Sequence, residues 1–161
     1  MERTIEGVKI KKLTRHCDER GYFLEILRDD DNLLSRFGQS SYTLSYPGVI
    51  KAFHWHLHQD DLWFVAHGDA LVVLYDRRYD SPTRGALLEL VMGEQNPILL
   101  LIPAGVAHGY KVLGDRPLGL FYHTTRSYEP EHPDEMRIPY DDPEIGYDWG
   151  CGSAGCGGDV R

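Results

Sequence analysis

No apolar run in this 161-residue chain approaches the roughly 20 residues that span a bilayer, so no membrane partner is expected. The opening stretch, MERTIEGVKIKKL, lacks the apolar centre of a secretory signal, and a cytoplasmic location is expected. Cysteine is scarce. Three residues make no disulfide framework: Cys17 stands alone, and Cys151 and Cys156 read as incidental thiols in a glycine-rich flexible tail over residues 150–161 rather than as a metal or redox clip. Positive charge is in the minority, 17 Lys and Arg against 25 Asp and Glu, for a net charge of −8. That balance argues against nucleic acid or an anionic membrane as the main partner. It leaves room for a phosphorylated small molecule, which needs only a few local cations. Helical periodicity is almost absent, and no internal repeat is evident.

What is present is a series of short strand-like segments. An apolar fraction of 42% suits an ordinary core, and residues 1–149 are expected to form one domain. Strands are expected within 1–13, at 22–27 and 39–46, in the stretch that follows Pro47-Gly48, and at 61–67, 70–76, 86–91, 97–102, 107–113 and 117–123. Residues 29–38 read as a short helix, Gly68-Asp69 as a tight hairpin, and 128–149 as an ordered wrap with short helical turns. The fold class is all-β, a double-stranded barrel.

The chemistry concentrates between Gly48 and Gly68, GVIKAFHWHLHQDDLWFVAHG. His54, His56 and His58 occupy alternate positions, so an extended strand puts them on one face and Phe53, Trp55 and Leu57 on the other. Asp60 and Asp61 follow. A second stretch, PILLLIPAGVAHGY, turns at Pro103-Ala104-Gly105 and delivers His108. The combined spacing, G-x5-H-x-H-x4-D-x6-G and then P-x-G-x-x-H, resembles the cupin superfamily at Gly48, His54, His56, Asp61, Gly68, Pro103, Gly105 and His108. The resemblance implies a jelly-roll double-stranded β-helix in which both motifs line one cavity.

A narrower resemblance covers about residues 5–149. Asp18-Glu19-Arg20-Gly21-Tyr22-Phe23-Leu24-Glu25, Gln39, Lys51-Ala52-Phe53-His54, Asp76-Arg77-Arg78 with Ser81-Pro82-Thr83, and Ile102 to Tyr110 are similar to the dTDP-4-dehydrorhamnose 3,5-epimerase family. So are Phe121-Tyr122, Tyr128-Glu129-Pro130 and the stretch from Asp142 to Trp149. The resemblance implies a homodimeric isomerase of deoxysugar and polysaccharide biosynthesis that acts on a dTDP-4-keto-6-deoxyhexose without a cofactor. His54 matches the catalytic base and Tyr122 the acid. Arg20, Phe23, Glu25, Gln39, Lys51, His108 and Tyr128 match or supply substrate-binding positions, some of them reaching across a dimer. An imidazole, with an ordinary pKa near 6.5, suits removal of a carbon-bound proton at neutral pH.

Several positions depart from the family pattern. Lys51-Ala52-Phe53-His54 stands where the family reads R-G-L-H, and Asp61 replaces a lysine that stabilises an enolate. Val72 replaces a carboxylate, and His56 a glutamine. The family aspartate that pairs with the base has no counterpart up to Arg161, and Asp142 is the candidate replacement. These changes rebuild a metal-binding cupin set of His54, His56, Asp61 and His108, suited to a divalent Zn, Ni, Fe or Mn ion. A metal-dependent cupin enzyme, a sugar isomerase or dioxygenase-like, is therefore an alternative, and a non-catalytic sugar-binding cupin is a second. If His54 ligates a metal it cannot also be the free base. His58 is placed outside the ligand shell or at the barrel mouth. His16, His67, His123 and His132 are given surface or packing roles.

Overall fold

The computed structural model describes residues 4–150; Cys151, Cys156 and nearly all of the expected tail lie outside the described residues. In chain order the strands are β1 (Lys9–Lys12), β2 (His16–Asp18), β3 (Gly21–Phe23), β4 (Gln39–Ser45), β5 (Ile50–Trp55) and β6 (Asp61–His67). They continue as β7 (Asp69–Asp76), β8 (Leu87–Gly93), β9 (Ile98–Ile102), β10 (Val106–Leu113), β11 (Leu118–Thr124) and β12 (Met136–Arg137). Two five-stranded antiparallel sheets form, in the orders β1-β9-β6-β11-β4 and β12-β5-β10-β7-β8, and β2 and β3 make a separate hairpin. This is the all-β architecture expected from the sequence.

Strand β9, Ile-Leu-Leu-Leu-Ile, is buried at every position, which requires cover on both faces. Ile98, Leu100 and Ile102 point between the sheets, with Trp63 and Val65 of β6 and Val72 and Leu74 of β7. Leu99 and Leu101 point outward, with Leu62 and Phe64, under Leu24, Ile26, Leu27, Leu33 and Leu34. The second sheet is covered likewise, where Phe53, Val73 and Ala107 pack against Ile145 and Trp149 of the C-terminal wrap. Fully burying each such leucine is worth about 1.5–3 kcal/mol.

That outer cover explains two differences from expectation. The strand expected over 22–27 ends at Phe23 because Leu24, Ile26 and Leu27 turn inward as a lid. The helix expected over 29–38 reduces to one 3-10 turn, Asp29–Asp31, where Asp31 accepts from Lys11 Nζ at 2.6 Å. Residues 128–149 hold β12 and isolated turns, one of them a single α-type turn in which the Gly146 amide donates to the Asp142 carbonyl at 2.8 Å, with no continuous helix. The Gly68-Asp69 hairpin is also corrected. Strand β6 belongs to the first sheet and β7 to the second, so Gly68 carries the chain across the barrel. Its φ is +72°, and a Cβ there would lie 2.7 Å from the Pro117 carbonyl oxygen, a crossing that only glycine makes without displacement.

Two details position the site. Buried Asp76 accepts from Arg78 Nε at 2.8 Å, Ser81 Oγ at 2.5 Å and Thr83 Oγ1 at 2.6 Å, so this group of family-like residues ties down a loop. Between β5 and β10 the register slips: His108 faces His54, but Tyr110 faces Lys51. The extra residue is a bulge. Strict alternation would set Lys51 on the face opposite His54; the bulge sends Ala52 and Phe53 together to the outer core and brings Lys51 to the inner face.

Candidate active site

A pocket of about 410 Å³ opens between the sheets, within the size range of small-molecule sites. Strand β5 and the residues after it contribute Lys51, His54 and His56, and β10 contributes His108. The facing sheet contributes Gln39, Asp61 and Tyr122. Residues 126–135 form part of the rim, Tyr128 and Glu135 among them.

His54 Nδ1 lies 2.9 Å from Glu135 Oε1. A carboxylate only accepts, so Nδ1 carries a proton, and in the neutral ring this leaves the lone pair on Nε2. Glu135 is set there by β12, whose Met136 and Arg137 pair with Trp55 and His54. The His54 hydrogen bond holds the Glu135 carboxyl below the usual range, against the opposing effect of partial burial. Asp142, the carboxylate expected to serve His54, instead accepts from the Glu144 amide at 3.0 Å and closes a turn. The partner of His54 is Glu135, a residue with no local sequence signal because 81 positions separate the two.

His56 follows the end of β5. Its Nδ1 donates to the Asp134 carbonyl, and the Asp134 carboxylate accepts from the amides of Leu57 at 2.7 Å and His58 at 2.9 Å. That turn breaks the alternation, leaving His58 and Leu57 exposed and outside the pocket. The three imidazoles therefore do not share one strand face.

Asp61 is buried on the first sheet. Its Oδ1 accepts from Gln59 Nε2 at 2.8 Å and its Oδ2 from Trp63 Nε1 at 3.2 Å. His56 Nε2 stands 3.5 Å from Oδ1, and His108 Nε2 stands 3.7 Å from Oδ2. Burial works against a charged His56, but Asp61 and Asp134 outweigh it and raise its pKa to about 9. Burial dominates at His108 and pushes it down to about 4, although Asp61 opposes. Asp61 is lowered despite the upward push of burial, chiefly through its His56 hydrogen bond and the two histidine charges. Of the four expected metal ligands, three converge: one ligating atom each of His56, Asp61 and His108 lies within 4.8 Å of the others. His54 is not in that group among the described residues.

Tyr122 on β11 faces the pocket from the sheet opposite His54. Gln39 and Tyr128 are joined, the Tyr128 amide donating to Gln39 Oε1 at 2.9 Å. Lys51 Nζ donates to Thr43 Oγ1 at 3.2 Å. Arg20, Phe23 and Glu25 do not reach this pocket in their own chain. Arg20 and Phe23 are exposed on the β2-β3 hairpin, Arg20 paired with Asp18 at 2.5 Å, and Glu25 pairs with Arg28 at 3.1 Å. His132, given a surface or packing role, is exposed and lines the rim.

Two facing antiparallel sheets around a histidine-lined pocket define a cupin-type barrel. The chain matches the family model described as dTDP-4-dehydrorhamnose 3,5-epimerase over residues 2–159, and it belongs to that family of isomerase-class enzymes. It is 62% identical over 145 residues to the spore coat polysaccharide biosynthesis protein SpsL of Bacillus subtilis, covering 90% of this chain and 96% of that protein. It is 42% identical over 147 residues to a probable low-salt glycan biosynthesis epimerase of Haloferax volcanii, covering 90% and 94%. Among solved structures it is similar to a dTDP-6-deoxy-D-glucose-3,5-epimerase of Legionella pneumophila in complex with dTDP-4-keto-L-rhamnose. The TM-score is 0.83 at 31% identity, with 95% of this chain and 84% of that chain covered.

Proposed function

We propose that the protein epimerises a dTDP-4-keto-6-deoxyhexose at carbons flanking the ketone, in polysaccharide biosynthesis, with His54 as base and Tyr122 as acid. The observation that carries this reading is the His54–Glu135 pair, which leaves Nε2 free in a pocket that Tyr122 shares from the opposite sheet. C–H bonds beside a ketone are acidic because the carbanion delocalises into an enolate. His54 Nε2 takes the proton from one face, and Glu135 stabilises the resulting imidazolium. The Tyr122 hydroxyl returns a proton to the other face of the same carbon, inverting it. Solvent then reprotonates the phenolate and removes the proton from His54. Lys51 and Arg126 line the same pocket and offer positive charge to a pyrophosphate. The similarity to an epimerase solved with dTDP-4-keto-L-rhamnose supports the substrate class. Incubation with dTDP-4-keto-6-deoxyglucose in D2O, followed by NMR, is expected to show inversion with deuterium at C3, C5 or both. Unchanged, unlabelled sugar would remove the reading.

The protein is further proposed to act as a homodimer. Tyr42, Leu44 and Phe121 leave the outer face of the β4-β11 edge 48%, 50% and 37% exposed, with the Tyr42 and Phe121 ring centroids 4.8 Å apart. Apolar surface grouped in this way marks an association site. Sedimentation at micromolar concentration is expected to give two copies of the 18.4 kDa chain; a monomer would contradict the proposal and leave Arg20 without a route to a nucleotide.

A further inference from the structure

We propose that His56, Asp61 and His108 hold a divalent first-row transition ion on the pocket floor, with His54 outside its coordination sphere. The argument rests on where the protons must be. His108 Nδ1 lies 3.0 Å from the Val106 carbonyl oxygen, and His56 Nδ1 contacts the Asp134 carbonyl. A carbonyl only accepts, so both rings carry their proton at Nδ1 and direct Nε2 at Asp61. The carboxylate has no proton to offer them. Its Oδ1 lies 3.5 Å from His56 Nε2, within reach of a long hydrogen bond only when that ring is charged, and its Oδ2 lies 3.7 Å from His108 Nε2, beyond hydrogen-bond reach. A proton added to His56 relieves only one of the two contacts. At His108 an imidazole lone pair still faces a carboxylate oxygen, with both side chains about 5% exposed or less, an apposition that is costly in the interior without a cation between the groups.

Everything about the cluster suits a metal. Histidine ligands almost always give their other N–H to a carbonyl or carboxylate, and ligating carboxylates are themselves hydrogen-bonded. Here Val106 and Asp134 supply the carbonyls, and Gln59 and Trp63 brace Asp61. Bonds of about 2.1 Å in a tetrahedron put neighbouring ligands about 3.4 Å apart; the two histidine–carboxylate separations, 3.5 and 3.7 Å, are near that, and the three ligating atoms lie within 4.8 Å of one another, so the imidazoles must draw together to share an ion. Two imidazoles and one carboxylate, with a side open to the pocket, are a set used by zinc and by non-haem iron. His54 is engaged with Glu135, so one pocket accommodates a free base and a metal together. On the epimerase reading the ion would place positive charge near the forming enolate; its binding does not depend on that reading.

The test uses the full chain, stripped with a chelator and titrated with Co(II) and then Zn(II). The expected result is one ion per chain by elemental analysis, visible Co(II) absorption, and a melting temperature raised by Zn(II). Asp61→Asn and His56→Gln are each expected to weaken binding about 100-fold or more, beyond the 10- to 100-fold loss typical of removing an outer-shell partner. Melting of each variant in chelator reports whether it folds. If neither folds, ring 15N NMR of the native protein decides: Zn(II) is expected to shift Nε2 of two histidines while their Nδ1 stays protonated, and to leave His54 unmoved. Absence of binding, full affinity in Asp61→Asn and His56→Gln, a shift at His54, or loss of the ion in a Cys151→Ser, Cys156→Ser double variant would overturn the proposal. Because these readouts are binding, stability and NMR, failure to epimerise sugars leaves them intact.

Discussion

His54→Ala is expected to lower kcat/KM for the 4-keto nucleotide sugar roughly 10²- to 10⁴-fold, the worth of a positioned base. Most of the loss should fall on kcat, because the residues expected to hold the nucleotide are others lining the pocket, Gln39, Lys51 and Tyr128 among them. The fold should survive, since the His54 side chain is 22% exposed and its partner Glu135 lies on the rim. Glu135→Gln is expected to lower kcat by less, because it keeps a hydrogen-bond acceptor for Nδ1 but removes the charge that stabilises the imidazolium. Steady-state kinetics on the three proteins checks both. A His54→Ala enzyme with the native rate would show that the proton is removed elsewhere.

Tyr122→Phe is expected to fail differently. Its base remains, so a proton still leaves carbon and the enolate still forms. Without the hydroxyl on the facing sheet, that enolate is reprotonated mainly from the side it lost. Exchange of substrate hydrogen for solvent deuterium should therefore persist while inversion falls by roughly 10²-fold or more. The ratio of exchange to inversion, read by NMR in D2O, checks this. Loss of both in equal measure would mean that Tyr122 positions the sugar and does not donate to it. Phenylalanine keeps the ring that packs against the barrel core, so a folding defect is not expected.

Much of this architecture was legible because burial on both faces leaves a plain signature. Residues 97–102 read as a strand from their unbroken apolar run, and β9 occupies all but the first of them. The segment expected over 61–67 became β6 without change. Gly68 was misread because a glycine that crosses between sheets and one that closes a hairpin look the same locally; the difference lies in Pro117, which packs against it. Lys51 and His58 broke the period-two reading for separate reasons, a bulge opposite Tyr110 and a turn capped by Asp134. Histidine spacing brought His54, His56 and His108 to one pocket but carries nothing of the proposed division into a base and a metal set. That division depends on Glu135 and on the Asp134 and Val106 carbonyls, contacts set by folding at distances where no motif operates.

The most direct test is a structure of the protein with a dTDP-4-keto-6-deoxy sugar or a stable analogue bound. The sugar ring is expected between His54 and Tyr122, with a carbon beside the ketone facing His54 Nε2 and its opposite face toward the Tyr122 hydroxyl. The nucleotide is expected along Gln39, Arg126 and Tyr128. A sugar bound with both residues on one face, or His54 Nε2 on a phosphate oxygen, would contradict the account.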